Sequence, residues 1–421
     1  MARRVAVVGA GWAGLSAAIE CASAGAHVTM FEMATFPGGR ARDVGEEGLD
    51  NGQHICIGAY SETLRVLRRI GVAEETAFLR LPLRLVDAQG AGLRLRSGPP
   101  MPAFALAVLR RQDWRWGERL ALLGAAFSWW RSEFSCAPQA TVAMISASLP
   151  ACVRHGLIEP LCIAALNTPA ESASGAVFLR VLRDALASGR GASDLLLPRI
   201  GLGSLLPRPA LEWLQRAGTV VRMGHRAERL QRAGGGWRIE DEWFDRVIVA
   251  ASAVEAGRLI APHDAAWSAC ATALRYEPIV TVYARGEGVR LAEPMLLLES
   301  DSDRPAQFVF DRGQLGGPAG LLAFVVSGAA GWMEKGAQAT EQAVLAQAAA
   351  ALGPTWSNAL VPVRTIVEKR ATFRCTPGLD RPAMRVAEGL LAAGDHVAGP
   401  YPATLEGAVR SGVAAARAAV G

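Results

Sequence analysis

The segment VAVVGAGWAGLSAAI, with VTMFE soon after it, constrains this chain more than any other stretch. Val5 to Val8 is an unbroken apolar run, Leu15 to Ala24 is alanine-rich, and His27 to Phe31 is a second apolar run. The pattern predicts strand, turn, helix and strand, with Gly25 ending the helix. Gly9, Gly11 and Gly14 stand as G-x-G-x-x-G at the first junction, and Glu32 follows the second strand, 18 residues beyond Gly14. In such a unit the first glycine permits a tight turn, the second lets the backbone approach a pyrophosphate, and the third lets helix and strand pack. The helix N-terminus supplies N–H donors. A carboxylate at Glu32 accepts from both ribose hydroxyls of an adenosine and disfavours a 2′-phosphate. An adenine dinucleotide site follows. The opening MARR and the apolar run after it also have the form of a signal peptide, but the glycine spacing assigns them to the nucleotide unit.

Further pieces of the same kind occur later. Gly235-Gly236 turns into WRIEDEWF and DRVIVAAS, a hairpin followed by a buried parallel strand, and the end reads as the strand GLLAAGD, a polar turn and a final helix. Between them, residues 80–202 hold proline-bounded helices, and residues 263–369 hold short strands (PIVTVYA, PMLLLE, QFVF, LLAFVV) and a helix around Ala337 to Leu352. At 421 residues, more than one domain is expected. We expect an α/β fold: a Rossmann-like domain from 1–79, 203–262 and 370–421, and a second, α+β substrate domain from 80–202 and 263–369.

Composition excludes several classes. With 51% hydrophobic and 20% charged residues, disorder and low-complexity structure are ruled out. The net charge of +5 comes from 44 basic residues, of which only Lys335 and Lys369 are lysines, with no dense basic run; this points to an anionic surface and not to nucleic acid. Seven scattered cysteines without a CxxC pair suit a reducing cytoplasm, and six histidines without HxH or HExxH spacing indicate no metal. The uncharged stretches 135–153 and 313–333 are broken by proline and polar residues, so they read as core and not as membrane spans.

FPGGRARD places Gly38-Gly39-Arg40 shortly after Glu32, and Ala393-Gly394-Asp395 precedes PATLEGAVRSG near the end. Together with the first glycine motif these resemble the flavin amine oxidase and phytoene desaturase superfamily, which implies an architecture of the glutathione-reductase type and non-covalent FAD. The resemblance implies that Gly38, Gly39 and Arg40 approach the pyrophosphate and ribityl chain, that Gly394 and Asp395 hold a ribityl hydroxyl, and that the helix starting near Thr404 and Leu405 aims its N-terminus at the flavin pyrimidine. A helix N-terminus stabilises an anion there by about 0.3–1 kcal/mol. Glu406 sits in the first helical turn, where a carboxylate is favoured without any catalytic role.

LDNGQHICIGAY is the stretch most informative about substrate. With YPATLEGA (401–408) it is similar to bacterial hydroxysqualene dehydroxylases and, less closely, to plant-type phytoene desaturases. One departure is Arg226-Ala227, where related chains carry Val for a backbone contact to adenine; Ala serves that contact. Asp50 and His54 are the expected catalytic groups beside the flavin, since a short run of amide, carboxylate and imidazole is costly to bury unless paired or used. The resemblance implies reductive dehydroxylation of a C30 isoprenoid, hydroxysqualene, to squalene, in squalene and hopanoid biosynthesis, with an acid such as His54 assisting departure of the hydroxyl. Carotenoid or squalene desaturation is the alternative. Amine oxidation comes third, and a non-catalytic flavin-binding relative belongs to another class. There is no G-x-S-x-G elbow and no second G-x-G-x-x-G, so an external electron donor is expected.

Residues 103–134 carry Trp116, Leu120, Leu123, Phe127 and Trp130 at spacings of four and three, flanked by Arg111, Arg115 and Arg119, with Arg131 opposite. This period describes two helices equally well: one packed on its own core, and one lying on an anionic membrane. We expect a cytoplasmic protein that touches the inner face of the cytoplasmic membrane peripherally, if at all.

Overall fold

The computed structural model describes residues 2–45, 49–353 and 360–421. In chain order, the elements that position the site are β1 (Arg4–Val8), α1 (Trp12–Ser23), β2 (His27–Glu32), α2 (Ser61–Arg69), α3 (Pro100–Leu109), α4 (Trp116–Arg131) and α5 (Glu159–Leu166). They continue with β3 (Val220–Met223), β4 (Arg246–Val249), β5 (Tyr276–Arg285), β6 (Met295–Leu297), β7 (Phe308–Asp311), β8 (Leu321–Val326) and α6 (Ala337–Leu352). The last are β9 (Val361–Phe373), β10 (Arg385–Ala387), β11 (Leu390–Ala392) and α7 (Leu405–Val420).

One sheet has the order β3-β2-β1-β4-β11-β10 and is parallel except at its β10 edge. Its strands are apolar along their length because each face is covered. Val5 and Val7 pack with α1 and α7, while Ala6 and Val8 pack into a second core with Phe31 and Phe244. Helix α1 starts at Trp12, three residues before the expected Leu15, because Gly14 fits inside it: a Cβ there would lie 1.9 Å from the Gly9 carbonyl oxygen. Gly14, expected among the cofactor-binding residues, therefore brings helix and turn together and is not among the residues that line the cavity described below.

The second sheet, β6-β7-β8-β5-β9, is antiparallel. Alternate residues of β5 serve different neighbours: Val280 and Val282 pack with Val344 and Ala348 of α6, while Ile279, Thr281 and Tyr283 face the opposite way. Strand β9 runs to Phe373, past the expected boundary at 369. A small sheet of Cys56–Ile57, Leu195–Pro198 and Phe78–Leu81 ties the chain before residue 80 to the helical segment after it.

Within the stretch 103–134, where Arg111, Arg115 and Arg119 are expected along the flank of the helix that carries the apolar stripe, the chain breaks between α3 and α4. At the break, Arg111 is buried, paired with Asp113 and stacked 3.9 Å from the centre of the Trp114 ring, so it does not flank a helix. Ala151–Val153, a π-turn over Arg154–Ile158 and α5 form one continuous helix. Pro160 lacks the N–H that an α-turn needs, and the preceding turn widens, with Glu159 N–H bonding to Arg154 C=O. Among the described residues no helix is long and apolar enough to cross a membrane.

Candidate active site

A cavity of about 780 Å³ lies at the carboxyl ends of β1, β2, β4 and β11, where parallel sheets of this kind place their ligands. Gly9, Gly11, Glu32, Gly38, Gly39, Arg40, Gly394, Asp395, Thr404 and Leu405 all line it, although they come from four separate segments. The Gly9 loop and the Gly38-Gly39 turn meet directly: Gly38 N–H donates to Ala10 C=O at 2.8 Å, and Gly11 bridges to Gly38. Gly9 adopts φ +110° with its missing Cβ against the Ala250 carbonyl, so the protein itself demands glycine. Gly11 differs. A Cβ there meets no protein atom within 4 Å, so the space it leaves open belongs to the cavity. That is the cradle a pyrophosphate requires.

The polar groups around the cradle suit a dinucleotide. The Glu32 carboxylate accepts from Ala10 N–H at 2.6 Å and from Ala34 N–H at 2.8 Å, which fixes it at the cavity wall with lone pairs to spare. Arg40 and Asp395, expected as separate ligand contacts, are also paired with each other, and Arg40 donates to Ala371 C=O at 2.9 Å. Burial works to raise the Asp395 pKa, but Arg40 and His396 outweigh it and hold the carboxyl well below the usual carboxylate range. Asp395 is a fixed anion. Thr404 accepts from Gly407 N–H at 2.9 Å, capping α7, and the start of that helix faces the cavity. Ala403, just before it, sits at φ 55°, a strained backbone that occurs mainly where a site holds it in place.

The Asp50 to His54 segment divides. His54 lines the cavity, with Nδ1 3.1 Å from Gly52 C=O. A carbonyl only accepts, so Nδ1 carries the hydrogen and Nε2 is left free. Burial lowers the His54 pKa and the Arg40 charge adds to this, against the opposing hydrogen bond that the ring donates to Gly52 C=O. Asp50, expected beside it, does not line the cavity. Its Oδ1 accepts from Leu202 N–H at 2.8 Å, its Oδ2 lies 3.7 Å from Arg312, and its own carbonyl accepts from the Tyr283 hydroxyl at 3.1 Å. Asn51 donates to Arg40 C=O and to Glu368, both at 2.8 Å. The polar density read as catalytic thus largely anchors the loop that presents His54. Asp50 is a positioning residue.

Burial pushes the Asp50 carboxyl up to about 6, against the Leu202 N–H and Arg312, which lower it. The folded state therefore binds this proton more tightly than the unfolded chain does. The group's contribution to stability is lost as pH rises from about 4 to about 6, and the penalty persists above that. Asp50→Asn keeps an acceptor for Leu202 and removes the charge. We expect its melting temperature to gain on wild type as pH rises from 4 to 7, by the equivalent of about 3 kcal/mol at neutral pH; a difference independent of pH contradicts this.

Sequence reasoning missed Thr281. It is buried in β5, its hydroxyl has no hydrogen-bond partner, and it lines the cavity beside Ile279, Val325 and Ile366. A single threonine within PIVTVYA carries no signal of its own. Glu406, by contrast, is fully buried, accepting from Thr63 N–H at 2.9 Å and pairing with Arg410, so it pins α7 to the start of α2.

The model of the family of flavin containing amine oxidoreductases matches residues 12–420. The chain belongs to this family. It is therefore a flavin-dependent oxidoreductase. Among its relatives, the hydroxysqualene dehydroxylase of Sinorhizobium fredii is 26% identical over 99% of this chain and 98% of that one. The hydroxysqualene dehydroxylase of Rhodopseudomonas palustris is 28% identical over the same shares. An oxidoreductase from Methanosarcina mazei shares the fold at a TM-score of 0.75 and 16% identity, covering 99% of this chain and 100% of that one.

Proposed function

We propose that the chain is an FAD-dependent hydroxysqualene dehydroxylase, with the cofactor held non-covalently. The observation that carries this reading is the cavity's two-sided character. One end is the glycine and carboxylate cradle; the other is walled by Ile55, Ile163, Ile279, Phe308, Val325 and Ile366. A largely apolar wall with a few polar groups set into it, among them His54, Gln53, Asn167, Ser327 and the unpaired Thr281 hydroxyl, suits a long hydrocarbon bearing one hydroxyl. The relatives' names agree with this. A desaturase, which acts on hydrocarbon alone, is the alternative, and the products separate the two.

Gly9, Gly11, Gly38 and Gly39 would hold the FAD pyrophosphate, Glu32 the adenosine ribose, Arg40, Gly394 and Asp395 the ribityl chain, and the Thr404–Leu405 helix start the pyrimidine edge. Bound and reduced, FAD supplies the electron pair and hydrogen that replace the departing oxygen. The carbon–oxygen bond breaks, a carbon–hydrogen bond forms, and water leaves with a proton from the protein. His54 Nε2 is the group placed to give that proton. Its depressed pKa makes the protonated ring a stronger acid than an ordinary histidine, present chiefly at low pH. The apolar walls keep water from the reacting carbon. Residues 1–79, 203–262 and 370–421 would serve the cofactor, and 80–202 and 263–369 the substrate.

A separate electron carrier reduces the flavin, and the protein works at the inner face of the cytoplasmic membrane, from which a C30 isoprenoid must be drawn. Purified enzyme, kept reduced by dithionite without oxygen, should convert hydroxysqualene to squalene by mass spectrometry. Oxidised enzyme should leave squalene unchanged; formation of a dehydrosqualene instead would establish the desaturase reading.

A further inference from the structure

We propose that the outward face of α4, with the adjoining end of α3, is the surface by which this protein docks on an anionic lipid bilayer. The proposal rests on the isoprenoid reading for its purpose and on the helix itself for its evidence.

Helix α4 is apolar on two sides. Its inward side carries Leu122, which is 1% exposed, and Trp129, packed on the core. The stripe legible in the sequence is the other side: Trp116, Leu120, Phe127 and Trp130 are 65%, 59%, 57% and 52% exposed, and only Leu123 of the five is drawn into the core. At 100° per residue these positions share one face, about a third of a turn from Leu122. Leu106 and Leu109, at the end of α3, are also exposed and extend the patch. So much contiguous apolar surface marks an interaction site.

Charge identifies the occupant. Arg110, Arg115 and Arg131 are exposed around the patch, and no carboxylate pairs with them among the described residues. Of the nearby acids, Asp113 holds Arg111 and Glu118 accepts from the Arg115 backbone N–H, which leaves the exposed Glu133 just past the helix against three exposed arginines. A second copy of this chain, docking face to face by a two-fold axis, would bring the same arginines together. An anionic lipid surface complements them. Tryptophan at the edge of an apolar face and arginine beside it match the two zones of a bilayer interface, hydrocarbon below and phosphate above.

The position suits delivery. Helix α4 packs on Ala151–Val153, the beginning of the continuous helix that ends in α5. That helix is 16 residues long, about 24 Å. At its far end Ile163 and the exposed Ala164 line the cavity. Patch and cavity thus sit on the same layer of helices, within reach of an extended isoprenoid.

The test uses the holoenzyme and vesicles of phosphatidylcholine with or without phosphatidylglycerol. We expect flotation with the phosphatidylglycerol vesicles, weakening several-fold between 50 and 500 mM salt, and little binding to phosphatidylcholine alone. Phe127→Glu with Trp130→Glu should lower vesicle binding by at least about tenfold, leave the melting temperature unchanged, and keep wild-type turnover of detergent-dispersed substrate. Wild type that never floats overturns the proposal, as does a double variant that melts lower or floats as well as wild type. A wild-type dimer that the double variant dissociates shows the face to be a self-interface. Failure of detergent turnover in wild type counts against the functional reading alone, because vesicle binding is measured without substrate.

Discussion

His54→Ala is expected to keep its flavin and to slow turnover, measured with the flavin already reduced, by about 10²–10⁴-fold, the usual loss for a general acid. His54 faces the cavity, and the nearby pyrophosphate cradle is built from other segments. The pH profile separates this role from a structural one. A proton donor acts only while protonated, and burial lowers the His54 pKa, so the wild-type rate should already be falling as pH rises through 6.5. His54→Ala should be slow and flat across that range. Equal rates in wild type and variant, or a variant that keeps the wild-type slope, would show that the proton comes from elsewhere.

Glu32→Ala is expected to weaken FAD by about 10- to 150-fold, from the loss of charge-assisted bonds worth about 1.5–3 kcal/mol. The structure adds a second reason for the effect. Glu32 also accepts from the N–H groups of Ala10 and Ala34, so its loss loosens the glycine loop as well as the ribose contact. Titrating apoprotein with FAD and following the quenching of its fluorescence gives the affinity directly. An unchanged value would remove Glu32 from the cofactor site.

Much of the cofactor cradle was legible because its parts are local. G-x-G-x-x-G, the carboxylate ending the next strand, GGR and AGD each declare themselves within a few residues, and a parallel sheet gathers strand ends at one edge without further instruction. Asp50 shows where such reading stops. Its sequence neighbours include His54, but its direction is set by pairing with Asp43, and its partners Leu202 and Arg312 lie far along the chain. Thr281 was illegible for the complementary reason: nothing marks a strand threonine until the sheet turns it toward an apolar cavity. The stripe on α4 was found by its period, which is the same for a buried and an exposed face. Leu122 and Trp129, a second apolar side at another angle, decide which face the core takes.

The most direct test of the central claim is a single turnover. Holoenzyme reduced by one equivalent of dithionite is mixed with hydroxysqualene in the absence of oxygen, flavin absorbance is followed, and the products are read by mass spectrometry. The account predicts that the oxidised flavin bands return as the substrate is consumed, with one squalene and one water formed per flavin. Flavin that stays reduced beside unchanged hydroxysqualene contradicts it.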